Sequence, residues 1–287
     1  MKVNKIVPQG YCNGVKRALE IVDNAINNPN TIRPIYLLGN IIHNKHVVNN
    51  LITRGVIVVE DKSKTRLELL DNINSGSVIF SAHGVSPQVY IKAKQKGLNI
   101  IDASCGNVLI VHKKITDYLS KGYDCIYIGT KNHPECEGIL GINNQIHFIS
   151  SIDDIDSLDI KNDKIYSTNQ TTLSMYDIKS IFDKLRDKYP SIIVDDKICN
   201  ATTVRQEAMA NQEPVDLCIV VGDPSSSNTK KLAKVSYEKA KIPTVLCEDP
   251  DSLDKSLLDN VKSVSISSGA STPDYIVDEI IKYLRTK

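Results

Sequence analysis

Three cysteines, Cys12, Cys105 and Cys199, stand 93 and 94 residues apart, each after an apolar run and each before a stretch with helical spacing. Three such units use up a chain of 287 residues. A period this long exceeds that of any solenoid repeat, so each unit has to be a small folded lobe with its own sheet and helices.

The intervals are built alike. After Cys12, Val15, Ala18, Leu19, Val22 and Ile26 recur at helical spacing until Asn27-Asn28-Pro29-Asn30 ends the run. A strand over 35–40 closes on Gly39, its counterpart over 125–130 on Gly129, and a third over 217–223 on Gly222. These glycines lie 27, 24 and 23 residues beyond the preceding cysteine. In the first unit a helix over 43–54, a strand over 56–59, a strand over 77–80 and a helix over 89–95 lead to a strand over 98–102 that delivers Cys105. In the second, a helix over 108–119 precedes the 125–130 strand, His133-Pro134-Glu135 lies in the loop after it, and a strand over 164–167 opens into Asn169-Gln170-Thr171-Thr172. In the third, Ser225-Ser226-Ser227-Asn228 is read as a loop and a strand over 264–267 runs into Gly269-Ala270-Ser271-Thr272-Pro273.

Strands alternating with helices predict an α/β protein with small, mostly parallel sheets flanked by helices. Polar loops at strand ends are where open α/β sheets place ligands. The strand before Cys105 closes lobe one, and residues 192–194 before Cys199 close lobe two. By the same rule Ile6-Val7, before Cys12, should cross over and close lobe three. The expected lobes are 13–104, 105–198, and 199–287 completed by 1–12. The aspartate-rich stretch 153–163 is expected to be a solvated connection.

A net charge of +1 gives no broad field to attract nucleic acid or a membrane surface, and no apolar run approaches a membrane span. Met1-Lys2-Val3-Asn4-Lys5-Ile6 lacks the apolar core of a signal peptide, so a cytoplasmic protein is expected. Seven cysteines, an odd number in a long chain without such a signal, argue for reduced thiols or metal ligands over a disulfide framework. Cys125, Cys218 and Cys247 lie in apolar strands and read as small buried hydrophobes. Cys136 follows Glu135 in what reads as a loop and is taken as a bystander. Cys12, Cys105 and Cys199 lie at matched polar turns before helices, where the helix dipole favours the thiolate that binds metal. Three thiolates on one centre suit zinc with an open fourth position, or an iron-sulfur cluster lacking one protein ligand.

Around that centre the loops supply His43, His83, His133, Thr171, Ser226, Ser227, Asn228 and Ser271. No Walker sequence or G-x-G-x-x-G is present, yet small donors at strand ends and helix N-termini suit phosphate oxygens. His46, His112 and His147 lack such context.

These motifs resemble those of the 4-hydroxy-3-methylbut-2-enyl diphosphate reductase family. The matching segments are Gly10-Tyr11-Cys12-Asn13-Gly14-Val15, Ile42-His43-Asn44, Phe80-Ser81-Ala82-His83-Gly84-Val85-Ser86, Asp102-Ala103-Ser104-Cys105 and His133-Pro134-Glu135. They continue with Gln170-Thr171-Thr172-Leu173-Ser174, Cys199-Asn200-Ala201-Thr202-Thr203, Ser226-Ser227-Asn228 and Gly269-Ala270-Ser271. The resemblance runs over nearly the whole chain. Two departures are Gly106, where proline is common in the family, and Asp223-Pro224-Ser225 in place of a more polar or basic segment.

The resemblance implies a trefoil of three α/β lobes around a 4Fe-4S cluster held by Cys12, Cys105 and Cys199. It implies that His43, His83, Ser226, Ser227, Asn228 and Ser271 grip the substrate diphosphate with His133 beside them, that Thr171 contacts the substrate hydroxyl, and that Glu135 supplies protons. It further implies reductive removal of that hydroxyl to give isopentenyl and dimethylallyl diphosphates, a reduced ferredoxin or flavodoxin as electron donor, and a monomer. Two other readings of the same residues are a zinc-dependent hydrolase or lyase on a phosphorylated small molecule and a non-enzymatic iron-sulfur sensor.

Overall fold

The computed structural model describes residues 1–286. Strand β1 (Lys2–Lys5) comes first, then helix α1 (Asn13–Asn27), β2 (Ile35–Leu38), α2 (Lys45–Thr53), β3 (Val56–Val59), α3 (Arg66–Leu69), β4 (Ser77–Phe80), α4 (Pro87–Gln95) and β5 (Asn99–Asp102). The second stretch holds α5 (Gly106–Ser120), β6 (Asp124–Ile128), α6 (Pro134–Leu140), β7 (His147–Ile149), β8 (Ile165–Asn169), α7 (Met175–Lys188) and β9 (Ile193–Asp195). The third holds α8 (Asn200–Ala210), β10 (Leu217–Val221), α9 (Ser227–Val235), β11 (Thr244–Cys247), β12 (Ser263–Ser268) and α10 (Asp274–Arg285).

The strands form three four-stranded sheets, ordered β3-β2-β4-β5, β7-β6-β8-β9 and β11-β10-β12-β1. Every pairing is parallel. Parallel neighbours need crossovers, and the crossover helices cover both faces of each sheet. The central strands β4, β8 and β10 are therefore buried along their whole length. Alternate side chains feed separate cores: Leu37 and Ile79 pack under Ala18 and Val22 of α1, whereas Val78 and Phe80 pack under Val89 and Ala93 of α4. The other two lobes repeat this double-sided packing. The result is the α/β trefoil of three small sheets that the family resemblance implies.

The strand before Cys12 belongs to the third sheet. Lys2 lies opposite Ser263 and Lys5 opposite Ile266, in parallel. It occupies Lys2–Lys5 rather than the Ile6-Val7 expected, although the Ile6 amide extends the ladder to the Ile266 carbonyl at 2.9 Å. Each of the three cysteines then stands directly after the fourth strand of a sheet.

Several elements differ from the sequence reading. His133-Pro134-Glu135 is a helix start: His133 is the N-cap of α6, and Cys136, read as a loop residue, lies buried inside that helix. Ser226 caps α9 and Ser227 and Asn228 form its first turn, where a loop was expected. Proline at the first position of α6, and the preference of Ser and Asn for turns, make both starts look like loops. The stretch 153–163 carries a 3₁₀ turn, Asp153–Ser157, whose Ile155 is fully buried. It is thus a packed connection and not merely a solvated one. No helix among the described residues is long and apolar enough to cross a membrane.

Candidate active site

The polar ends of the three sheets face a common cavity of about 530 Å³, within the range of small-molecule sites. All twelve candidate residues line it: the three cysteines, His43, His83, His133, Glu135, Thr171, Ser226, Ser227, Asn228 and Ser271.

Each cysteine occupies the N-cap position of its helix, Cys12 before α1, Cys105 before α5 and Cys199 before α8, and none caps through its side chain. Their amides make matched bonds to the loops after the third strand of each sheet. Cys105 donates to the Ala82 carbonyl at 3.0 Å, Cys199 to Thr171 at 2.9 Å and Cys12 to Ala270 at 3.3 Å. All three thiols are free and partly exposed, whereas the other four cysteines are buried. Cys136, Cys125, Cys218 and Cys247 have thiols pushed up by burial and play a packing role. Burial also pushes up the Cys105 and Cys199 thiols, against the lowering effect of helix N–H groups and of the Thr202 hydroxyl 3.1 Å from the Cys199 sulfur. Desolvation outweighs the helix dipole here, so a metal has to displace protons to bind.

The packing suits a thiolate-held group. A Cβ placed on Gly14 would stand 2.7 Å from the Cys105 sulfur and 3.8 Å from that of Cys12, so only hydrogen fits where α1 passes the two sulfurs. Three convergent soft donors with no fourth cysteine beside them fit a zinc or iron-sulfur group that leaves one position to other ligands.

Opposite the thiols, three imidazoles cluster. Ring centroids lie 4.6 Å apart for His43 and His83, 5.4 Å for His43 and His133, and 5.6 Å for His83 and His133. One nitrogen from each falls within 4.8 Å of the others. Burial lowers all three pKa values, with His133 down to about 3 and His83 well below its ordinary value; neighbouring imidazoles and Arg66 depress His83 and His133 further, while at His43 Asp223 opposes the lowering. The His133 Nδ1 accepts from the Glu135 amide at 3.1 Å, which leaves the proton on Nε2. The Ser271 hydroxyl donates to the His43 carbonyl at 3.0 Å, tying the third lobe to the first.

Unpartnered buried atoms mark where a ligand belongs. His43 Nε2, Ser227 Oγ and both side-chain polar atoms of Asn228 have no protein partner. Left unmet, each costs about 1–3 kcal/mol, so the set calls for a polar ligand. Neutral donors beside the N-terminus of α9 select an anion.

Glu135 brings a carboxyl group to the cavity. Its side chain is only 2 % exposed, and burial raises its pKa to about 7. The Thr171 amide donates to Oε1 at 2.8 Å, the Thr171 hydroxyl to Oε2 at 3.1 Å, and the buried Tyr127 hydroxyl to Oε1 at 3.4 Å. These bonds favour the carboxylate but do not cancel the desolvation.

A sequence profile described as LytB protein matches residues 3–285. The chain belongs to the LytB protein family. Its relatives include proteins named 4-hydroxy-3-methylbut-2-enyl diphosphate reductase from Geobacillus kaustophilus, 46 % identical over 99 % of this chain and 90 % of the relative, and from Bacillus mycoides, 47 % identical over the same shares. Among solved structures, the E-1-hydroxy-2-methyl-but-2-enyl-4-diphosphate reductase of Plasmodium falciparum superposes with a TM-score of 0.91 at 36 % identity, covering 99 % of this chain and 87 % of that one. A second, described as (E)-4-hydroxy-3-methyl-but-2-enyl diphosphate reductase, the terminal enzyme of the non-mevalonate pathway, gives 0.68 at 30 % identity with full coverage of both chains.

This LytB chain also brings residues to the cavity that its motifs did not single out. Arg205, one turn and a half into α8, lines the cavity, and Tyr127 stands behind Glu135. Both are invisible to motif reading because each sits at a core position of a regular element.

Proposed function

We propose that the chain is a reductase that converts 4-hydroxy-3-methylbut-2-enyl diphosphate into isopentenyl and dimethylallyl diphosphates, the final step of the non-mevalonate isoprenoid pathway. The observation that carries this reading is the joining, in one cavity, of three free thiols, an anion nest and a buried carboxyl group poised near neutrality. The full-length similarity to reductases of that name supports it. Cys12, Cys105 and Cys199 would hold a 4Fe-4S cluster, with ferredoxin or flavodoxin as donor and the cytoplasm as location. The lobe limits 13–104, 105–198 and 199–287 with 1–12 belong to the same proposal.

When bound, such a cluster supplies single electrons and a Lewis-acidic iron without a cysteine ligand. The protein does the rest. His43, His83, His133, Ser226, Ser227, Asn228 and Ser271 bind the diphosphate and fix the substrate's direction in the cavity. Thr171 places its hydroxyl between Glu135 and the substrate hydroxyl. Glu135, protonated in a large fraction of molecules near pH 7, gives its proton to the departing oxygen, which leaves as water. Two electrons and a second proton complete the balance, the proton reaching either end of the allylic fragment to give the two products.

The test is anaerobic purification, iron, sulfide and zinc analysis, and assay with the substrate and a chemical reductant. About four iron and four sulfide per chain with formation of both products are expected. Zinc alone, or an iron-loaded protein without turnover, would overturn the reading.

A further inference from the structure

Arg205 is the one lysine or arginine lining the cavity among the described residues, and it is 4 % exposed. Among the described residues no carboxylate stands within ion-pair distance of it. Instead Nη1 donates to the Ala201 carbonyl at 2.8 Å, one turn back along α8, and Nη2 to the Gly10 carbonyl at 2.9 Å. Its Nε is buried without a partner. The contrast with Arg66 is sharp, because that buried guanidinium faces Glu137 at 2.7 Å. A buried cation without a counter-ion is costly and persists only where something compensates it. The groups that act on Arg205 as anions are the exposed Asp274 carboxylate across Gly10 and, once they give up their protons, the Cys12 and Cys199 thiols.

The tie to Gly10 fixes the turn that carries Cys12. Gly10 has φ +71°, and a Cβ there would collide with the Asp274 carboxylate, so the backbone at this point passes where only glycine fits. The Gly10 amide donates to the Ser268 hydroxyl at 2.8 Å on β12, and its carbonyl accepts from Arg205 on α8. One guanidinium thus joins the helix after Cys199 to the turn before Cys12.

We propose that Arg205 is a positioning residue of the thiolate site: its charge compensates the negative charge gathered by Cys12 and Cys199 when they hold their group, and so sets how readily that group accepts an electron. This rests on the iron-sulfur reading above. Addition of an electron makes the site more negative, and a fixed cation nearby stabilises the reduced form.

The experiment compares anaerobically loaded wild type, Arg205→Met and Arg205→Lys by redox titration followed with visible absorption and electron paramagnetic resonance. Arg205→Met is expected to hold the added electron at least tenfold more weakly, a fall of about 59 mV in midpoint potential for one electron. Arg205→Lys should recover most of that loss. If Arg205→Met lowers thermal stability but leaves the potential at the wild-type value, the residue is only a structural clamp and the proposal is overturned. If Arg205→Met cannot retain iron, retention in Arg205→Lys supports the role of charge, and equal loss in both variants refutes it. Absence of an iron-sulfur spectrum in the wild type is a separate result, which overturns the cofactor reading itself.

Discussion

Glu135 shows how one side chain acquires its chemistry from its surroundings. Its pKa rises from 4.5 to about 7 because burial penalises the charged form more than its three hydrogen bonds favour it. The raised value also has a stability cost with a definite sign. The folded protein binds this proton more tightly than the unfolded chain, so the associated stability is fully present below pH 4.5 and is lost as pH rises through 7. The loss amounts to about 3 kcal/mol at most. Glu135→Gln, which keeps the shape and cannot ionise, should lower turnover at least a hundredfold. It should also raise the melting temperature relative to wild type more at pH 8.5 than at pH 5.5; a gain independent of pH would show that the carboxyl group is not ionising in the fold. The position of this residue was legible, since His133-Pro134-Glu135 is a recognisable run. That it must hold a proton near neutrality follows from its expected role; the burial that achieves this, and the opposing bonds from Tyr127 on β6 and Thr171 after β8, only the packing shows.

At the level of elements, the site is made of helix beginnings. Three start at the cysteines, one at His133 and one at Ser226. The last presents unpartnered Ser227 and Asn228 to the cavity. Groups left without partners serve binding at the expense of stability, which predicts opposite effects from one substitution. Asn228→Ala should raise KM for the diphosphate substrate about ten- to hundredfold, the value of one or two hydrogen bonds to a charged group, without lowering the melting temperature. Steady-state kinetics and thermal melts on the same preparation check both halves. Strands with unbroken apolar runs, such as Ser77–Phe80, could be read from the sequence to the residue. β7, with three residues, and α6, with seven, fall below the length at which periodicity speaks, and only tertiary packing defines them.

On the scale of the molecule, the threefold repeat in the sequence becomes three sheets of one strand order; the three lobes were legible in the spacing and the apolar runs, the strand order was not. What spacing could not tell is how the lobes are held in register. Arg66 reaches Glu137, Lys45 reaches Glu248 at 2.8 Å, and Lys234 reaches Asp177 at 3.0 Å, so ionic contacts cross each lobe boundary. The exposed pairs contribute up to about 1 kcal/mol each and serve to fix orientation. The strongest link is β1, which hydrogen-bonds along β12 and leads directly into the turn of Cys12. Deleting residues 2–5 should bare the edge of β12, lower the melting temperature and cut iron per chain to well below that of wild type. A deletion variant that loads iron normally would show that Cys12 is positioned without its strand.

The placement of β1 also sets an order of events during synthesis. The first strand to leave the ribosome has no partner until β12 follows it, about 260 residues later. At ordinary elongation rates that wait lasts on the order of ten to fifty seconds. The first two sheets are complete in the meantime, and Cys12 is held on one side by α1, which packs on the first sheet, while the strand before it waits. A nascent chain stalled before Ser263 therefore has the turn of Cys12 fixed only from the side of α1, without the β1–β12 ladder that fixes it from the other.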